Sequence, residues 1–576
     1  MATKEIKGSV HIIENPFGAT LLEAGGVRFR LWAPAAKRVD VKIGVDFHAM
    51  EPAGEGWYEQ TIEHAKAGTR YQYRIDGGQL VPDPASRFQP QDVDGASEVI
   101  DPRAFRFRDW KTPPWNEAVI YELHVGTFTP EGTYRGVMSK LDHLKSTGIT
   151  AIELMPLSDF AGRRNWGYDG VLPYAPDSAY GRPEDLKALI QAAHDKGLMV
   201  FLDVVYNHFG PKGNYLHAYA PQFFTDRHNT PWGAAIDFSQ AAVRQYFVQN
   251  VLYWLNEYRF DGVRFDAVHA IVDESPLHIL DEIRSKVTDQ KHLILENDAN
   301  QARFLGPGKY TAQWNDDSHH GFHVLATGED DGYYVAYADS PAKHLARCLA
   351  EGFAYQGERS PFSNEARGEP SSHLPPSCFV DFLQNHDQVG NRALGDRLLS
   401  LSTEGKLKAL SAIQLLAPAI PLLFMGEEWG CRQPFLFFCD FDGELGEAVR
   451  KGRRAEFARF ASFGAEVPDP LAEETFRRSV LKWEDADPGW LAHYRELLEL
   501  RRKHIVPRSF GPGRYRMLGK RAFEVTWEES PKGRAGLRLV ANCSDSKVSA
   551  EKAEQEPLWC NGKPGEPWTV CWWISE

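Results

Sequence analysis

Four segments of this chain end in residue types that can cut or transfer a glycosidic bond. They are Asp203-Val-Val-Tyr-Asn-His208, Gly262-Val-Arg-Phe-Asp-Ala-Val-His269, Ile294-Leu-Glu-Asn-Asp298 and Phe382-Leu-Gln-Asn-His-Asp387. Each begins apolar and finishes in carboxylates, amides or histidines. Cleaving an acetal between sugars needs an acid for the leaving oxygen and a second carboxylate for the oxocarbenium-like centre. Asp266 and Glu296 close two successive segments and Asp387 closes a later one, so a single site can collect all three. Carboxylates so close repel, their pKa values separate, and acid and nucleophile are thereby divided. Arg264 stands two residues before Asp266, on the same face of an extended strand, where a fixed cation keeps that carboxylate ionised. His208 and His386 can donate hydrogen bonds to hydroxyls of a central sugar. Tyr168, within Asn165-Trp-Gly-Tyr-Asp169, offers a ring for that sugar to stack on. Taken singly, each residue also fits a helix cap, an ion pair or a buried histidine; the ordered set points to chemistry.

Such an array needs a scaffold that gathers strand ends. From Val119 the chain alternates buried-strand patterns with helical ones. Val119–His124, Ile149–Met155 and Leu198–Val205 come first; Gly262–Asp266, Leu293–Glu296, Phe379–Gln384 and Leu422–Met425 follow. Between them lie amphipathic helices such as Asp185–Lys196, stopped by Gly197, and Val243–Tyr258. Continuous apolar strands in βα repeats predict a parallel sheet covered by helices, and eight strands closing as a (β/α)8 TIM barrel is the natural count. Residues 1–110 read as a β-sandwich, with period-two strands at Val27–Trp32, Val39–Ile43 and Tyr71–Ile75. A Pro-rich joint, Thr112-Pro-Pro-Trp115, opens the barrel region 111–505, and a small β-domain fills 506–576. The class is α/β with two flanking β-domains. The longest apolar stretch, Ala409–Gly426, is broken by Pro418 and Pro421 and reads as a buried helix followed by a buried strand.

Composition narrows the partners. Lys plus Arg number 65 against 79 for Asp plus Glu, a net charge of −14 without a basic block, which argues against nucleic acid or a membrane surface. Sixteen tryptophans serve packing first, and a minority can be platforms for sugar rings. The seven cysteines are odd in number and lack CxxC spacing, so reduced thiols in a cytoplasmic protein are expected rather than a disulfide framework. The first residues, Met1–Lys7, lack an apolar signal core. Asp203, Asn207 and His208 are possible metal donors, but no HExxH-type spacing occurs, and neither metal nor cofactor is expected; a calcium ion near Asn207 is compatible without being required.

The four segments resemble the signature regions of the α-amylase clan of retaining glycoside hydrolases and transglycosylases, and the resemblance spans nearly the whole chain. It implies Asp266 as nucleophile, Glu296 as general acid/base and Asp387 as transition-state stabiliser. Arg264, His208, His386 and Tyr168 match positions around the central sugar, and Asp203 a structural aspartate. Ile120–Thr129 and Trp32-Ala-Pro34 look like the branch holding branching enzymes, isoamylases and maltooligosyltrehalose trehalohydrolases. Segments 230–235, 312–320, 424–429 and 434–438 are similar to the trehalohydrolases, the first two of them reading as loops, and His269 stands where many amylases carry lysine. That resemblance implies hydrolysis of the α-1,4 bond next to the terminal trehalose of maltooligosyl trehalose, with α-glucan oligosaccharides as further ligands. Reading a 1,1-linked leaving group calls for a stacking wall, for which Trp232 and Trp314 are candidates. The candidate polar contacts are His269, Asn315, Asp316, Asp317, His319, His320 and Glu428. Arg392 can clamp Asp387 or a sugar. A glucan branching enzyme shares every catalytic residue, so the four segments do not set it aside; a non-catalytic glucan-binding protein could use the same barrel, but the presence of all three carboxylates argues against it.

Overall fold

The computed structural model describes residues 15–230, 233–457, 467–530, 535–551 and 555–575. Its centre is a closed barrel of eight parallel strands. They are β1 (Ile120–Leu123), β2 (Ala151–Leu154), β3 (Met199–Val204), β4 (Gly262–Phe265), β5 (His292–Leu295), β6 (Ala312–Trp314), β7 (Phe379–Phe382) and β8 (Ile420–Phe424). Every residue of these strands is buried, which is why they read as apolar runs without alternation. Ile120 pairs with both Ala151 and Leu422, and this closes the ring. Ile120, Met199, Phe201, Ile294, Trp314, Phe382 and Leu422 fill the interior, so the lower barrel is a packed core, and Trp110 and Trp115 pack against it. The joint before the barrel is tied to it: Trp110 Nε1 and Thr112 Oγ1 both donate to Asp261 Oδ1, at 2.7 and 2.6 Å.

The helices set the strand directions. Pro183–Asp195 starts with proline in its first turn and ends at Gly197, whose φ of 70° is the left-handed conformation glycine adopts without strain. The Leu198 N–H returns to the Ala193 carbonyl at 2.9 Å, and β3 starts at the next residue, delivering Asp203 to the mouth. Glu404–Leu416 followed by β8 is the helix–strand pair expected from the long apolar stretch.

The stretch 312–320 departs from expectation. It reads as a loop in sequence, but residues 312–314 form β6 and Asp316–Thr327 is a helix. Three residues, one of them glutamine, are too few to show as an apolar run, and β6 is held by pairing with β5 and β7 on either side.

Before the barrel, two antiparallel sheets pack face to face. One holds Gly18–Leu21, Val27–Trp32, Trp57–Ile62 and Glu51–Gly54; the other is centred on Val39–Ile43 and Arg70–Ile75. Phe29 from the first meets Tyr71 from the second, with ring centroids 4.8 Å apart. After the barrel a five-stranded sheet packs on its helices, where Trp527 and Trp572 donate to the carbonyls of Leu349 and Ala412. This sheet corrects the reading of the cysteines. Cys560 and Cys571 are direct cross-strand partners, 4.1 Å apart at Cα, and are joined as a disulfide. Their facing positions follow from a strand register that separation in sequence does not show. Cys348, Cys378, Cys431, Cys439 and Cys543 are free and buried.

Candidate active site

Arg264 organises the mouth of the barrel. It is a direct register partner of Asp203 and fully buried. Its Nη1 donates to Asp203 Oδ2 at 2.7 Å and to Asp266 Oδ1 at 2.8 Å, and its Nη2 to Glu296 Oε2 at 2.7 Å. Three carboxylates from three neighbouring strands thus meet one guanidinium, whose planar fork suits this geometry. Asn207 Nδ2 adds a bond to Asp266 Oδ2 at 2.9 Å. Ala267 holds a left-handed conformation, φ 39° and ψ 51°, rare for a residue with a Cβ. This turn aims the Ala267 N–H at Glu296 Oε2, 2.9 Å away.

The two central carboxyls titrate in opposite directions. Burial opposes ionisation of Asp266, but Arg264, Asn207 and His208 outweigh it and hold the group below the usual carboxylate range. Burial raises Glu296 well above its ordinary value, Arg264 opposes, and Asp266, Asp387 and Asp316 add to the rise. Asp203, buried beneath them, is pushed up to about 7 against the pull of Arg264. An anion beside a protonated acid is the arrangement that acetal cleavage requires.

Asp387 faces them from beyond β7. It accepts from Asn391 Nδ2 at 3.0 Å, and His386 Nε2 lies 3.4 Å from its Oδ2. Burial works against charge on His386, but Asp387 and Glu122 push it up to about 9. Tyr168 stacks on the His386 ring at 4.9 Å and donates from Oη to Asp203 Oδ2 at 2.6 Å. His208 completes this side, with Nε2 3.0 Å from the Tyr168 carbonyl oxygen and Nδ1 against Asn207 Oδ1.

The candidates for reading the leaving group are scattered. Trp314 is 1% exposed and lies under the Arg264 guanidinium, 4.2 Å from ring centroid to Cζ, so it belongs to the floor and is no sugar wall. Asn315 is sealed in, donating to the Gly352 carbonyl and to Asp381 Oδ1, each at 3.0 Å. Asp317 accepts from Tyr337 Oη and the Ala354 N–H at 2.5 and 2.8 Å, and pairs with Arg367 at 3.1 Å. Glu428 is buried against Tyr121 and His143. His319 is buried on Phe382, and His320 between Tyr337 and Tyr333. These five are structural because their polar atoms or rings are enclosed by the fold. Arg392 forms a two-pronged bond with Glu329, 2.8 Å on each arm, rather than with Asp387. Trp232 lies outside the described residues.

Two candidates remain at the mouth. His269 is exposed, its Nδ1 accepting the Asp298 N–H at 3.2 Å. Asp316, in the first turn of its helix, is part-exposed; burial and then Asp298 push it up to about 7. The structure adds Tyr333, whose ring is 40% exposed and whose Oη donates to Gln388 Oε1, beside Asp387, at 3.0 Å. Nothing local in the sequence marks Tyr333. Glu122 and Glu153 did carry a signal: each interrupts an apolar strand at its third position. Among the described residues no group of three or more His, Cys, Asp or Glu side chains is arranged to hold a metal ion, and no helix is long and apolar enough to cross a membrane.

The barrel, the flanking sheets and this carboxylate array define a multidomain glycoside hydrolase of the α-amylase type. Residues 84–232 match the model of the alpha amylase catalytic domain, and residues 16–102 match carbohydrate-binding module 48, the isoamylase N-terminal domain. Malto-oligosyltrehalose trehalohydrolase of Deinococcus radiodurans is 45% identical over 85% of this chain and 83% of its own. That of Saccharolobus solfataricus is 42% identical over 84% and 86%. A crystal structure from Salmonella typhimurium, described as an alpha amylase, superposes with a TM-score of 0.93 at 46% identity, covering 98% of this chain and all of that one. The chain belongs to the malto-oligosyltrehalose trehalohydrolase family.

Proposed function

We propose that the protein hydrolyses the α-1,4 bond between a maltooligosyl chain and its terminal trehalose, releasing trehalose and a maltooligosaccharide with retention. The observation that carries the retaining cleavage is the Asp266–Glu296 pair on one guanidinium, one carboxyl depressed and the other raised, while family membership carries the substrate. Sharing Arg264 fits the close pair of retaining enzymes, about 5–5.5 Å between carboxyl groups. Glu296 passes its proton to the leaving O4 of trehalose while Asp266 bonds to the anomeric carbon. Water then attacks that carbon, Glu296 takes its proton, and the carbon–Asp266 bond breaks. Asp387 faces the developing positive ring, charged His386 faces its hydroxyls, and Tyr168, held by His208 through its carbonyl oxygen, lies under the same sugar.

On the leaving side we assign Asp316 and His269 as polar contacts and Tyr333 as the exposed ring. Family membership supports trehalose as the group they meet. In this reading the domains divide near residues 110 and 505 and the protein works in the cytoplasm, with five buried free cysteines beside the one Cys560–Cys571 bond. Incubating the purified chain with maltooligosyl trehalose and assaying free trehalose tests the reading. Release of trehalose is expected. New α-1,6 branches from amylose without trehalose would replace this reading with a branching activity.

A further inference from the structure

Beneath the site lies a titratable group that the reaction does not use. Glu153 on β2 is the direct register partner of Glu122 on β1. Register partners point to the same face of a sheet, and Glu122 points inward to His386, so both carboxyls enter the barrel. Each is 1% exposed. Their partners differ sharply. Glu122 Oε2 accepts the His386 backbone N–H at 3.0 Å, and its Oε1 lies 2.5 Å from His386 Nδ1. Neither oxygen of Glu153 meets a hydrogen-bond donor among the described residues. Two carboxylates side by side away from water do not both ionise, and the charge settles on the one with donors.

We propose that Glu153 is a neutral, proton-bearing positioning residue: by carrying no charge it leaves Arg264 and His386 committed to Asp266 and Asp387. The inference rests on the roles assigned to those four residues above. The charged groups facing Glu153 are Glu122 from β1, Asp203 from β3, Arg264 from β4 and His386 from beyond β7. Burial, then Glu122 and Asp203, raise its pKa well above the ordinary value, and the two cations oppose this. An ionised Glu153 would compete for both cations, drawing Arg264 from the nucleophile and His386 from Asp387. A neutral acid at this point keeps the floor of the barrel from discharging the mouth.

The test compares Glu153→Gln with Glu122→Gln in the full chain. The wild-type-minus-Glu153→Gln infrared difference at neutral pH is expected to contain the carbonyl band of one protonated carboxyl. The His386 pKa, followed by NMR, is expected to fall in Glu122→Gln and to stay in place in Glu153→Gln. Both limbs of the kcat/KM pH profile of Glu153→Gln are expected at their wild-type positions. A carboxylate band in the difference spectrum, or a His386 pKa lowered as much by Glu153→Gln as by Glu122→Gln, would show an ionised Glu153 and overturn the proposal. Trehalose release by the wild type is measured separately, so failure here is distinguishable from failure of the proposed function.

Discussion

The ends of β4 and β5 and the stretch after β6 are both rich in carboxylates, yet the fold uses them differently. Asp266 and Glu296 leave their strands toward the mouth and converge on Arg264. Asp316 and Asp317 are consecutive in the first turn of a helix, where each step rotates a side chain by about 100°. One step turns Asp316 toward Asp298 and Asp387, and the next turns Asp317 into the fold against Tyr337 and Arg367. Residue type says that a carboxylate is present; the element beneath it says whether chemistry or stability employs it.

The sharpest way to break this contrast is to neutralise one carboxylate in each region. Glu296→Gln is expected to lower kcat by about 10²–10⁴-fold, the range of general acid catalysis, and Asp266→Asn by at least as much. Asp317→Asn is expected to leave kcat per folded molecule near wild type. Steady-state kinetics with circular dichroism on the same samples decides this, and a catalytic collapse in Asp317→Asn with an intact fold would erase the distinction.

Smaller effects sharpen it. Arg264→Met leaves Asp203, Asp266 and Glu296 without their shared cation, and a loss of about 3–5 kcal/mol is expected in denaturant unfolding. Asp317→Asn weakens charge-assisted bonds to Tyr337, Ala354 and Arg367, at about 1.5–3 kcal/mol in the same assay.

The pH dependence separates the two catalytic carboxyls. Glu296 has a raised folded pKa, so the folded state holds its proton where the unfolded state has lost it. The wild type therefore loses stability relative to Glu296→Gln as pH rises from about 4.3 through the folded value. Asp266 has a depressed folded pKa, and the stability it lends above about 3.9 disappears as pH falls through that value. Unfolding curves of wild type and both neutral variants across this range should diverge in opposite directions. The smallest expected change is in Asp316→Asn: up to about tenfold less preference for trehalose-terminated over plain maltooligosaccharide, one hydrogen bond's worth. Competition kinetics reads it.

What was legible in the sequence follows the same division. The Arg264–Asp266 spacing read correctly because two residues along a strand share a face, and strand ends of a parallel barrel share a mouth. The segment 312–320 misled because β6 is three residues long and its strand character comes from its neighbours. Trp314, read as a wall, sits under Arg264, since a strand residue pointing into a barrel below its mouth is core. Glu122 and Glu153 were visible as charges inside apolar runs, but their different states depend on which of them reaches His386. The Cys560–Cys571 bond depends on a register across the last sheet that spacing alone does not reveal.

Retaining cleavage between a maltooligosyl chain and trehalose is decided by a proton NMR time course on maltooligosyl trehalose, recorded faster than mutarotation. The prediction is free trehalose appearing together with the α-anomer of the maltooligosaccharide. First appearance of the β-anomer, or consumption of the substrate without free trehalose, would contradict it.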